Sequence, residues 1–281
     1  MTYVLLGVLC SVLVSVLLKL AARFNLDIGQ AVAWNYVVAA SLTAMVLPSP
    51  VSPLHHPGMP WLALAALGVL LPTIFLVFGA SIRHAGIVRS DTAQRLSLVI
   101  SLLAAFVLFG QHFDAVIGIG CALGLIAVTA MVWRNRQATE AGGLASFGYP
   151  VAVFIGSGAI DVLFKFVAAA KVPLGTALLV TFALALVVAF AIELARQARF
   201  TARNAVGGAI LGLLNFGNIL FYLQAHRTLP HDPALVFASM NLGVVALSAL
   251  TGFALFGERL GRVNTAGFVV AVAAIALLTQ G

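Results

Sequence analysis

The sequence predicts an all-α integral membrane protein with ten transmembrane helices, arranged as a 5+5 inverted repeat. Three observations carry that expectation. Hydrophobic residues make up 62% of the chain and charged residues only 8%, whereas a soluble domain carries about a quarter charged residues. The apolar residues gather into ten runs, each long enough to cross a bilayer. The first half of the chain also recurs, shifted, in the second.

With so little charge, 281 residues cannot cover themselves with polar surface, so lipid is the expected solvent. A spanning helix needs about 20 mostly apolar residues. The runs lie at about 3–22, 29–47, 61–82, 88–109, 114–133, 147–168, 173–194, 205–225, 233–256 and 263–279. None alternates with the period of two that a porin strand shows, and backbone groups in lipid must be satisfied within the segment, so each run is read as a helix. Pro72 in the third and Pro150 at the start of the sixth are expected to kink their helices.

The breaks carry turn and polar chemistry in order: RFNLD, PSPVSPLHHPGMP, RHAGIVRSD, GQHFD, RNRQATEAGG, AKVP, RQARFTARN, HRTLPHDP and GERLGRVN. They are loops rather than further domains. The first run is read as a span, not a cleaved signal, because others follow it.

Fifteen basic against eight acidic residues leave a formal charge of +7. No basic cluster with interleaved aromatics exists, so lipid head groups explain the charge and nucleic acid is not an expected partner. The odd-numbered connections hold Arg23, Arg83, Arg89, Arg134, Arg136, Arg196, Arg199, Arg203, Arg259 and Arg262. The even ones hold Lys171 and Arg227. The positive-inside rule therefore places the odd connections in the cytoplasm and both termini outside the cell (inner) membrane.

Shifted by 146 residues, segment 3–39 lies over 149–185 with nine identities in 37 positions. Tyr3, Ser11, Lys19 and Gly29 fall on Tyr149, Ser157, Lys165 and Gly175, and Ser15 falls on Asp161. LFGQHF (108–113) lies over LFGERL (255–260), which matches Gln94 with Asn241 and Ser101 with Ser248. The chain is thus read as a repeat over 1–137, a connection over 138–146 and a second repeat over 147–281. Five spans is an odd number, so the second repeat enters the membrane inverted.

The ten short helices, the duplication and the ending LFGERLGRVNTAGFVVAVAAIALL (255–278), with its Gly257–Glu258 pair and a Gly such as Gly267 in the last helix, resemble the EamA-type proteins of the drug/metabolite transporter superfamily. In the first repeat Gln111 stands where that pattern has Glu. The resemblance implies transport of small metabolites, frequently export of amino acids or related compounds.

The candidate binding residues are the polar side chains inside the runs. Ser11, Ser15 and Lys19 step by four and share one helix face. Ser157, Asp161 and Lys165 repeat the pattern, and intramembrane polar groups face a cavity or the bundle interior. For the two lysines a second reading stays open, in which the stem snorkels to the interface. Asp161 is read as a substrate-amine or proton-coupling group, or as the partner of Lys165. Asp91 and Arg95 form another i,i+4 pair. Asp91 is expected to cap its helix or lie near the interface, and deeper Arg95 to meet an anionic group. Asn215, Asn218 and Tyr222 share a face of the eighth segment, and Gln94 and Asn241 take equivalent places in the two repeats. Glu258 is expected to be an end-of-helix structural group.

His55 and His56 have no carboxylate or Cys ligand beside them, so no metal is expected. No cofactor motif and no phosphate loop occurs, and no nucleophile–base pair points to an enzyme. The expected function is a secondary transporter of a small polar metabolite, an amino acid or related carboxylate, working by alternating access. An anionic or phosphorylated metabolite is the alternative substrate class, and an intramembrane lipid-modifying enzyme is the remote alternative. The expected partners are membrane lipid, the substrate, and a coupling proton or exchange solute.

Overall fold

A computed structural model describes residues 1–50, 58–109, 115–132, 145–229 and 233–278. Among them lie eleven α-helices and no strand: α1 (Thr2–Leu20), α2 (Ile28–Val46), α3 (Trp61–Ala85), α4 (Ile87–Leu96), α5 (Leu98–Phe109), α6 (Ala115–Val132), α7 (Ala145–Ala169), α8 (Leu174–Ala195), α9 (Ala202–Thr228), α10 (Pro233–Phe256) and α11 (Arg262–Leu278). Seven helical segments are long and apolar enough to cross a membrane: α1, α3, α4 with α5, α7, α8, α9 and α10. Together with the large apolar side chains left on the outside, they make this a multi-pass membrane protein. On α1 the sorting is plain. Val4, Val8 and Val12 are buried, while Leu5, Leu9 and Leu13 one position on are exposed.

Local chemistry sets the helix ends. Asp27 caps α2, its carboxylate accepting from the amides of Gly29 and Gln30 at 2.8 and 3.2 Å. This satisfies two of the amides that a helix start leaves open. Asn25, Lys171 and Gln197 turn the chain after α1, α7 and α8 at φ of 49°, 56° and 53°, the left-handed cap that ends many helices. Gly86 takes φ 93° between α3 and α4.

The fourth expected segment, 88–109, is not one continuous helix. It breaks at Ser97, whose hydroxyl donates to the Gln94 carbonyl at 2.6 Å while its amide bonds the same carbonyl. A serine that bonds its own helix backbone competes with the regular ladder and bends it. Pro72 lies inside α3. Beside it the Thr73 hydroxyl donates to the carbonyls of Val69 and Leu70.

The chain divides into two compact units. One comprises Met1–Lys19, Val77–Gly158 and Gly217–Gly281; the other, Leu20–Leu76 and Ala159–Phe216. Each draws on both halves of the sequence, and α3, α7 and α9 run through both. In the first unit α6 packs on α11 and α4 on α10. Its apolar core contains Leu96, Ala127, Phe154, Val245 and Ile275, and a second cluster joins α1, α9 and α10 through Val8, Ala225 and Met240. In the second unit α2 packs on α8, and Leu64, Leu67, Val167 and Ala177 join α3, α7 and α8. Glycines permit close approach. A Cβ on Gly208 would stand 2.4 Å from that of Trp34 and 2.6 Å from the Ala31 carbonyl oxygen.

In each unit taken alone, the contacts among described residues join connections of like parity in the expected count of ten runs. Within the first unit, Glu258 after α10 reaches the start of α4. The His84 ring stacks on Tyr149 at 5.2 Å, and Asn264 donates to the Ala130 carbonyl at the end of α6. Val4 of α1 packs near Leu229 and Val236, across the eighth connection. Within the second unit, the Asp27 amide donates to Asn204 at 3.1 Å and Gln30 to the Arg199 carbonyl at 3.0 Å. Thr176 donates to the Pro50 carbonyl at 2.8 Å. His55, His56, Gln111, His112, His231 and nearly all of the 138–146 connection lie outside the described residues.

Candidate functional site

The polar stripe of α1 is met, turn by turn, by the polar face of α4 running the opposite way. Ser11 accepts from the Arg95 guanidinium at 2.6 Å. One turn on, Ser15 donates to the Asp91 carboxylate at 2.8 Å. One turn further, the Lys19 ammonium lies 3.2 Å from Glu258 Oε1 and donates to the Ile82 carbonyl at 3.1 Å. Glu258 in turn accepts the amides of Ile87 and Val88, the first of α4, at 2.8 and 3.2 Å. Each step of four along α1 is answered by a step of about four back along α4, as the shared helical period requires.

The third helix of this cluster is α10. Its Ser248 donates to the second oxygen of Asp91, so a carboxylate 1% exposed receives one hydroxyl from each of two other helices. This overturns the expectation that Asp91 caps its helix or sits near an interface. Gly86 precedes α4 without a side-chain bond, and the Glu258 carboxylate takes the capping part. Arg89, on the same helix, turns to α11 and donates to Asn264 at 2.8 Å.

Burial and partners distinguish the two carboxylates. Among the described residues the Glu258 carboxylate is met by two amides and an ammonium, all of them donors. Asp91 faces two hydroxyls, each able to donate or accept, with Arg95 one turn along α4 acting on it electrostatically. Asp91 is the more deeply buried of the two, so removing its hydroxyl partners would leave a polar group unsatisfied in an apolar interior.

The remaining predicted residues are distributed as follows. In the first unit, the Asn218 amide donates to the Gly7 carbonyl of α1 at 2.8 Å. Tyr222 packs against the α1–α9–α10 cluster and meets His226 edge-on at 4.6 Å. Asn241 is buried on α10, and Gln94 is half-buried on α4. Ser157 is buried, and its hydroxyl has no hydrogen-bond partner among the described residues. Three lie in the second unit. Asp161 and Lys165, both half-buried, interact electrostatically, and Asn215 donates to the Asn35 carbonyl oxygen at 3.2 Å. Among the described residues no three His, Cys, Asp or Glu side chains gather as metal ligands.

The structure thus brings Ser11, Ser15, Lys19 and Arg95 into one network and adds Asp91, Ser248 and Glu258, which the sequence reading left out of the binding set. Two signals for them were present: Asp91 shares the α4 face of Arg95, and Ser248 falls on Ser101 in the repeat.

No family model matches the sequence. The chain is 37% identical over 276 residues to an uncharacterized protein of Haemophilus influenzae, covering 96% of this chain and 94% of that protein. A crystal structure of another protein superposes over 98% of this chain and 97% of its own, with a TM-score of 0.53 at 14% identity, a likeness of fold alone.

Proposed function

We propose that this chain, which belongs to the family that includes the Haemophilus influenzae protein, is a secondary transporter of a small carboxylate-bearing metabolite, of the EamA type, in the cell membrane. The observation that carries the reading is the α1–α4–α10 cluster. Ionisable side chains are expensive at membrane depth and mark substrate and ion pathways by default, and here Arg95, Asp91, Ser11, Ser15 and Ser248 converge from three segments. A guanidinium presents a planar set of donors matched to a carboxylate, so Arg95 is the substrate anchor and Ser11 its positioning residue.

Ten spans, counting α4 with α5 as one, are supported by the way the loops sort: odd connections meet odd and even meet even, as helices crossing alternately demand. The arginine-rich odd connections are assigned to the cytoplasm by the positive-inside rule. The inverted repeat rests on the sequence match of Lys19 with Lys165 and on five being an odd number of spans. Alternating access would then open the pathway at one end while closing it at the other.

The test is flux. Purified protein is reconstituted into phosphatidylethanolamine/phosphatidylglycerol vesicles, and radiolabelled alanine, glutamate, pyruvate or succinate is added outside. At least one is expected to cross faster than in protein-free vesicles, and Arg95→Gln to abolish the difference. Equal rates with and without protein for all four would overturn the reading.

A further inference from the structure

We propose that Asp91 carries a proton that moves together with the carboxylate held at Arg95, making the transport a proton–anion symport. The inference rests on the transporter reading above and concerns what drives it.

The argument starts from the partners of the two carboxylates in the first unit. Donor-only partners fit one protonation state. Hydroxyls fit both, because a serine that donates to a carboxylate can turn and accept from a carboxylic acid without moving its helix. Glu258 has the first kind of environment and Asp91 the second. Asp91 therefore keeps two partners whether or not it holds a proton.

The charges around Asp91 set the direction of the coupling. On its own helix, Arg95 is the cation acting on it, and the anion acting on it is Glu258, which Lys19 and the α4 amides meet. Arg89 is turned to Asn264 on α11. Toward Asp91, α1 presents Ser15 and α10 presents Ser248. From α6 and α11 no charged side chain among the described residues acts on it.

With Asp91 ionised, its charge and that of Arg95 offset each other. An arriving carboxylate adds a second anion to one cation, in surroundings where like charges repel far more strongly than in water. A proton taken from the adjoining solution by the Asp91 carboxylate removes that excess, and it is released when the substrate leaves. Proton and anion thus strengthen each other's binding, and by linkage the effect is mutual. An inward proton gradient acting through this site drives uptake. The export that the EamA resemblance implies does not follow from it.

The same vesicles test the proposal, with a pH-sensitive dye trapped inside and the same four labelled probes. Whichever probe enters is expected to acidify the interior beyond protein-free vesicles, and external acid to raise its apparent affinity by roughly 5- to 150-fold, the usual range of site–site coupling. Asp91→Asn is expected to admit the same probe without acidification and without the response to external acid. Ser248→Ala keeps the carboxylate and is expected to move the pH of half-maximal uptake. It also serves if Asp91→Asn does not fold.

Entry of a probe without proton movement, or with alkalinisation, overturns the coupling and leaves the transporter reading standing. So does a pH response that persists in Asp91→Asn, or one unaltered in Ser248→Ala. Failure of every probe to enter overturns both.

Discussion

Glu258→Ala removes one carboxylate and three contacts, and the structure allows the loss to be worked out. Two are bonds to the first amides of α4, at 2.8 and 3.2 Å, where losing a capping acceptor costs about 0.5–2 kcal/mol. The third is the Lys19 ammonium at 3.2 Å, in a pair whose side chains are 24% and 13% exposed. That partial exposure holds the pair to about 1 kcal/mol, near the top of the range for exposed ion pairs rather than the larger cost of a fully buried one. Together these come to about 1.5–3 kcal/mol. Glu258→Gln keeps one acceptor oxygen and should lose less, about 1–2 kcal/mol; Lys19→Ala, which leaves the cap intact, about 1 kcal/mol. For a chain of this size that is roughly 2–4 °C of melting temperature per kcal/mol. The assay is the melting temperature of detergent-purified protein, followed by loss of the monodisperse species. The double variant should fall short of the sum of the singles by about 1 kcal/mol, the signature of a direct pair. A Lys19→Ala loss as large as that of Glu258→Ala would refute the capping argument, and strict additivity would refute the pair.

Three further outcomes follow from local geometry. Gly208→Ala places a Cβ 2.4 Å from that of Trp34 and 2.6 Å from the Ala31 carbonyl oxygen, atoms that move only with α2, so overpacking should cost about 1–3 kcal/mol. Gly58→Ala, with nothing within 4 Å, should stay within about 0.5 kcal/mol of the parent in the same melts. Asp27→Ala deprives Gly29 and Gln30 of their acceptor and should cost about 1 kcal/mol, with Asp27→Asn recovering most of it. Faster amide exchange confined to the first turn of α2 would mark the cap.

Much of the architecture was legible because lipid leaves few options. A segment that cannot bond water must bond itself, so apolar runs of spanning length and their breaks locate most of the helices. The stripe of Ser11, Ser15 and Lys19 was legible for a similar reason: a period of four on one helix is a local property. The break at Ser97 was not, because whether a serine bonds its own backbone or a neighbour depends on what packs beside it. Asp91 was misplaced for the same kind of reason. Near a helix start an aspartate reads as a cap, but the cap had been taken by Glu258, 167 residues further along the chain.

The sequence by itself determined the solvent of this protein, the helical class and the polar face of α1, since each depends only on composition or on neighbours within a turn or two. It left Lys19 with two readings, pathway or interface. Tertiary structure decided between partners. It set α4 antiparallel to α1, so that Ser15 meets Asp91 and Ser11 meets Arg95, and it brought Glu258 to Lys19 and Ser248 to Asp91. Which buried charge finds which partner is a matter of helix register and packing, and no local pattern along a single chain encodes it.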